Sequence, residues 1–288
     1  MRIRCVCLAV LATLVAQCRT PAEPPASIPK APVIPVEQLS KAAAESGLPV
    51  EVLQEETRYR FHSDGTKTVV QRVTFRILNL RNLGDWARMS ATYRPWFEVR
   101  PQLLATVTTP DGERFSLDQK SVAEAPVPRD DELLSDARQV LAPLPALVAG
   151  AVVEQTVIKK EKQPFFSEGT AGRFYFGMGV PVYVSRLVLE VPGDIEMRHE
   201  VRGVSIQPTV EKTKKGQTLT FETGPLLPQT SPVVFLPADV PRYPHVAFTT
   251  VPKWRRVARR YAQLVEKQIS DFDAKSLVKD IDRKRSRA

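Results

Sequence analysis

The feature that most constrains this chain is a pair of alternating apolar runs closed by an Asp-Gly step. Glu55–His62 places Tyr59 and Phe61 on one face. Ser63-Asp64-Gly65 turns, and Lys67–Leu80 runs back with Val69, Val73, Phe75 and Ile77. Glycine accepts the positive φ a tight hairpin turn needs, so these runs read as paired strands. A second copy follows, with Leu103–Thr108, then Thr109-Pro110-Asp111-Gly112, then Glu113–Leu117. Further strands are predicted at Ala151–Lys159, Arg173–Phe176, Val182–Val191, Ile195–Glu200, Thr218–Glu222 and Val246–Thr250. Many short strands with little helix between them predict a mainly β fold, an antiparallel β-sandwich. Proline cannot donate to a ladder, so the Pro-dense stretch Pro225–Pro244 is expected to cross the surface.

One long helix is predicted after the strands. Trp254, Val257, Ala258, Tyr261, Leu264, Val265 and Ile269 recur at spacings of three and four, which puts them on one face. Thr249 and Thr250 offer capping hydroxyls and Pro252 suits a first helical turn. Arg255, Arg256, Arg259 and Arg260 fall largely on the other side, as a solvated basic face. A weaker helix is predicted over Ala274–Asp282.

The start of the chain reads differently. Arg2 and Arg4 precede a twelve-residue apolar stretch, Cys5–Ala16. As a helix it would reach about 18 Å, short of a bilayer core, which is the layout of an export signal over residues 1–20. Leu14-Val15-Ala16-Gln17-Cys18 resembles a lipoprotein box with Cys18 as the lipidation site, although Gln17 stands where a small residue is preferred. Cleavage after Ala22, discarding Cys18, is the alternative. Residues 21–48 form a linker with six prolines in residues 21–35 and a candidate short helix over residues 36–46. The sandwich is assigned to residues 49–250 and a C-terminal helical segment to residues 251–288. The chain is expected to be exported, either periplasmic or anchored to an outer membrane.

The formal charge of +9 sits at the ends. Residues 1–30 carry +3 and residues 253–288 carry +7, which leaves residues 31–252 at −1. A phosphate-tracking protein needs its charge on a folded face, so no nucleic-acid partner is expected. The only cysteines are Cys5, Cys7 and Cys18, which removes a disulfide framework, a Cys-ligated zinc and a cysteine nucleophile from everything after residue 18. His62, His199 and His245 are scattered, and the acidic run Asp130-Asp131-Glu132 with Asp136 lacks the glycine of a turned calcium loop. No metal, cofactor or catalytic residue is therefore assigned. The aromatic-rich stretches Trp86–Phe97 and Phe165–Tyr183 are read as core, with a sugar- or peptide-binding surface as the alternative. Gly169, Gly172, Gly177 and Gly179 mark the second stretch as a loop flanking a strand.

The order of motifs adds a resemblance. The Asp64-Gly65-Thr66 turn is followed by Thr109-Pro110-Asp111-Gly112. Then comes Leu144-Pro145-Ala146-Leu147-Val148-Ala149-Gly150-Ala151-Val152-Val153-Glu154, and finally Pro252-Lys253-Trp254 opening the helix with Tyr261. Over roughly residues 50–270 this resembles the bacterial domain of unknown function that precedes transglutaminase-like domains in exported proteins. The resemblance implies a β-sandwich, usually followed by a papain-like domain with a Cys-His-Asp triad. No cysteine follows Cys18, so the triad maps to no position, and the chain ends about where that domain's first helices would finish. The expectation is an exported, non-enzymatic binding or scaffolding module whose partner is a transglutaminase-like domain, in cis or from a neighbouring gene. Trp254 and Tyr261 are the candidate docking residues, and the ligand is not specified. The rival is a carboxylate- or serine-dependent envelope hydrolase with a site assembled only by folding.

Overall fold

The computed structural model of the chain describes residues 47–127, 135–228 and 243–270. The residues read as an export signal, Cys18, nearly all of the Pro-rich stretch, Asp130–Glu132, most of Pro225–Pro244 and the helix predicted over Ala274–Asp282 lie outside the described residues. The opening hairpin is β1 (Val50–Phe61) and β2 (Lys67–Ile77). Next come β3 (Arg88–Tyr93), β4 (Gln102–Thr108), β5 (Arg114–Ser116), β6 (Ala123–Pro126), β7 (Arg138–Pro143) and β8 (Val152–Lys160). The second half adds β9 (Ala171–Tyr175), β10 (Ser185–Pro192), β11 (Arg198–Arg202), β12 (Thr209–Thr213), β13 (Gly216–Thr223) and β14 (His245–Thr249). The helix α1 (Trp254–Ser270) follows.

The described residues are mainly β, as expected, with one long helix after the last strand. Both Asp-Gly turns form. Gly65 and Gly112 have φ of 84° and 88°, and Asp64 Oδ1 accepts from the Thr66 amide (2.9 Å) and hydroxyl (2.7 Å). The strands β3, β6, β7 and β12 had no clear sequence signal. Of these, β12 is exposed along its whole length, so no face of it carries an apolar stripe.

Eight strands make one large sheet in the order β12-β13-β10-β1-β2-β8-β4-β5. Its pairs are antiparallel except β1 with β10, which run parallel from Glu55 opposite Ser185 to Arg60 opposite Glu190. Two three-stranded sheets, β11-β14-β9 and β3-β7-β6, pack on one face of it. That inner face carries Phe75, Ile77, Leu103, Val107, Val153, Leu187, Leu189 and Phe221, all almost fully buried. The stacking is seen in ring contacts. Phe248 of β14 meets Tyr59 of β1 at 4.9 Å, and His199 of β11 meets Phe221 of β13 at 5.1 Å.

The other face of the large sheet is polar. Glu56 accepts from Arg58 (3.3 Å), Arg72 (3.3 Å) and Arg186 (3.2 Å), while Glu190 accepts from Arg58 (2.6 Å) and Arg60 (2.5 Å). Burial disfavours the charged form of Glu190, but the two guanidinium groups win and hold its carboxyl below the usual range. Shared charges across four neighbouring strands make a network rather than isolated surface pairs.

Phe75 sits at the centre of the packing, fully buried, with the Trp86 ring at 4.9 Å. Removing a ring of this kind leaves a cavity that costs about 3–5 kcal/mol. Phe75→Ala is expected to lose stability by that amount in urea unfolding, and a loss below about 1 kcal/mol would show that the two layers do not share this core.

Candidate functional site

The small sheets do not cover the inner face completely. Between them lies an open groove of about 1350 Å³. Its floor is Tyr59, Val69 and Gln71 of the large sheet, which the period-two alternation of β1 and β2 turns to one side. One wall is built from Arg94, Phe97 and Phe165, the other from Gly172 and Phe248, and Trp254 and Val257 of α1 stand at one end.

Each wall is pinned by backbone bonds. The Arg94–Val99 turn is tied to the end of β8, where Val99 N donates to Lys160 O and Lys162 N to Phe97 O, both at 2.9 Å. The loop before β9 is tied to the segment before α1, where Thr170 N donates to Thr250 Oγ at 2.8 Å. Gly169 there has φ of 128°, and a Cβ would stand 2.8 Å from that same hydroxyl. Gly172 was expected in a loop, but it lies within β9, directly beneath the Phe248 ring. A Cβ at Gly172 would come within 2.6 Å of that ring, so the bare backbone is what lets Phe248 lie over β9 and reach Tyr59.

The two aromatic stretches divide between core and surface. Tyr93, Phe97 and Phe176 are buried, in line with the core reading, whereas Trp96 (45%) and Phe165 (56%) are substantially exposed. Folding brings the stretches together. Trp96, Phe97 and Phe165 form a trio with ring centroids 4.6–5.6 Å apart. Residues 69 positions apart in sequence meet here, so local pattern could not have paired them.

The groove carries charge of both signs. Glu98 pairs with Lys159 (3.5 Å), Glu161 with Lys67, and Glu200 with Arg202 (2.8 Å). Arg94, Arg173 and Lys253 also line it, each exposed and without a carboxylate partner among the described residues. Of the sequence-predicted residues, Trp254 is 83% exposed and Tyr261 65%. The root of α1 is held: Arg198 donates to the carbonyls of Val251 and Pro252 (2.8 Å to Pro252), and Arg256 pairs with Glu168 at 3.6 Å. The Thr249 hydroxyl accepts from Val251 N, and that of Thr250 is spent on Thr170, so neither caps the helix as expected.

The model of a family described as Domain of Unknown Function with solved-structure structure, DUF3857, matches residues 63–230, more than half of the chain. The chain belongs to the DUF3857 family. In this DUF3857 member the match begins at the first Asp-Gly turn and ends before β14 and α1, so Phe248 and Trp254 of the groove lie beyond it. No curated protein matches the sequence. A solved structure from Parabacteroides distasonis ATCC 8503, described as a "putative protease", is similar at 15% identity with a TM-score of 0.62. The similarity covers 71% of this chain and 41% of that one, so the chain spans about two fifths of that protein's length. At this identity the likeness is one of fold.

The histidines of this DUF3857 chain do not converge. His62 bonds the Thr68 hydroxyl at 3.1 Å, His245 is buried with Nδ1 bonded to Tyr243 O at 2.9 Å, and His199 lies exposed beside Phe221. Among the described residues no three His, Cys, Asp or Glu side chains gather into a metal-binding cluster, and no helix is long and apolar enough to cross a membrane. Sequence reasoning missed the buried acids of β1, Glu51, Glu55 and Glu56, of which Glu55 lies on the inner face. Burial pushes its carboxyl up, and the hydrogen bonds from the Ser185 hydroxyl (2.5 Å) and the Gly177 amide only partly offset this. The alternation of β1 places Glu55 on the inner face with Tyr59, but its polar character hid its burial.

A carboxyl raised in the folded state binds more protons there than in the unfolded chain. Stability attributable to Glu55 is therefore present in acid and lost as pH rises above the usual carboxylate range. Glu55→Gln keeps the shape without the charge. Its melting temperature is expected to exceed that of the parent at about pH 8 and to converge with it near pH 4. A difference that does not grow with pH would place the Glu55 carboxylate in a better-solvated site.

Proposed function

We propose that this chain is an exported, non-catalytic β-sandwich module that docks a transglutaminase-like domain through the apolar face of α1. The observation that carries the reading is the helix itself. Its root is bonded to the sandwich, yet Trp254, Tyr261 and Ile269 stand 83%, 65% and 67% exposed along one stripe. Large rings are costly to leave in water, and together they offer several hundred Å² of apolar surface to a partner. Family membership supports the sandwich as a recurring unit. The Parabacteroides distasonis neighbour, of which this chain matches only two fifths, is in keeping with a module that works beside further domains. Export through residues 1–20 and a lipid on Cys18 would place the module at the envelope. The groove's carboxylates each hold a lysine or arginine, which favours binding over acid–base hydrolysis.

The test is sedimentation of the full chain with the transglutaminase-like protein encoded in the same or the adjoining gene, parent against Trp254→Ala/Tyr261→Ala. Exposed side chains contribute little to folding, so the double variant is expected to melt within a few degrees of the parent. Its affinity for the partner is expected to drop at least tenfold, as for loss of a central aromatic anchor. Unchanged affinity would overturn the docking role of the helix. Hydrolysis of envelope glycan or ester substrates by the purified chain, abolished by Glu98→Gln or Glu161→Gln, would favour the hydrolase reading instead.

A further inference from the structure

The groove has a feature that reaches beyond helix docking, the open edge of β9. Among the described residues this strand pairs only with β14, at one edge of its small sheet. Thr250 N donates to Thr170 O and Phe176 N to Pro244 O, both at 2.9 Å, so the even-numbered residues of this strand bond inward to β14. In an antiparallel ladder the residues between them point their amides and carbonyls the other way. Ala171, Arg173 and Tyr175 therefore present N–H and C=O groups on the free edge, with no partner strand among the described residues.

That edge faces the groove rather than open solvent alone. Gly169 through Arg173 line it as an unbroken run, with the inner face of β2 as its floor and the Arg94–Phe97 turn across from it. The two small sheets thus leave a slot over the large sheet in which a strand is missing. Natural sheets seldom leave such an edge unguarded beside an apolar trough.

We propose that this slot takes an extended peptide of a partner protein as an added strand on β9, and that the peptide alternates apolar with acidic residues. Main-chain bonds to Ala171, Arg173 and Tyr175 give the affinity, and alternate side chains give the specificity. Side chains on the inward face of the added strand meet Tyr59, Val69 and Phe97. Those on the outward face meet a surface whose carboxylates are all paired and whose lining cations without a carboxylate partner among the described residues include Arg94, Arg173 and Lys253. The free charge is positive, so an acidic strand is favoured over a basic one.

The experiment uses the full chain and a fluorescent peptide of about ten residues alternating valine and glutamate, with the valine–lysine peptide as comparator. Fluorescence anisotropy is expected to register the acidic peptide alone, with binding that weakens as salt is added. Arg94→Glu is expected to weaken it at least tenfold. Hydrogen exchange of the Ala171, Arg173 and Tyr175 amides is expected to slow on saturation. Arg173→Pro deletes the central outward N–H without touching a β9–β14 bond, and binding is expected to be lost while the melting temperature holds. Should that variant fail to fold, the exchange measurement and Arg94→Glu decide the matter. Equal binding of the lysine peptide, or saturation with no slowing of those amides, overturns the proposal. Capture of an anionic oligosaccharide in place of the peptide does so too. Tyr261→Ala, which changes the helix face outside the groove, is expected to leave peptide affinity unchanged, so this inference and helix docking can fail separately.

Discussion

The parallel pairing of β1 with β10 is the constraint on which the rest of the structure depends. Strands β2, β8, β4 and β5 build outward from one side of β1, and β13 and β12 from the far side of β10. Without that seam the chain would have two smaller antiparallel sheets, each with an exposed edge. With it, Glu55 comes opposite Ser185, and the buried apolar residues of six strands share one inner face. A parallel pair cannot be closed by a tight turn, so the chain must leave the sheet and return. The excursions between β2 and β10 use that requirement to lay down β3, β6, β7 and β9, which roof the inner face.

The groove is a by-product of how that roof is made. Two three-stranded sheets laid on an eight-stranded one need not meet, and the gap falls over Tyr59, Val69 and Gln71. Close approaches join its walls to their neighbours, at Gly169 against Thr250 and at Gly172 under Phe248. A site on anchored walls with a free strand edge beside it is organised before a ligand arrives, which lowers the ordering cost of binding. The outer face of the large sheet presents a contrast. Its arginines are more numerous, yet Glu51, Glu56, Glu190 and Glu222 already occupy them, so it has little charge to offer a partner.

Much of the fold was legible in sequence because its signals are local. Asp64-Gly65 and Asp111-Gly112 announce hairpins wherever they lie between alternating runs, and both form. The helix was legible because seven apolar residues keep a three-to-four spacing. The exposed edge strand β12 was not, since nothing in its burial imposes an alternation. The aromatic stretches show the limit most clearly. Phe97 and Phe165 look alike in sequence, but one fills the core and the other stands at the rim, and the difference is set by which sheet happens to cover each.

By itself the sequence determined the class of fold, the two hairpin turns, the amphipathic helix and the absence of a thiol from everything after Cys18. Those depend on residue type and on spacings of two, three or four positions, which the backbone geometry of strands and helices reads directly. Only the tertiary structure decided the parallel seam, the groove, the burial of Glu55 and the free edge of β9. Each of these depends on contacts between residues from tens of positions to more than a hundred positions apart. Such contacts are chosen by the packing of whole sheets, for which no short stretch of sequence carries the instruction.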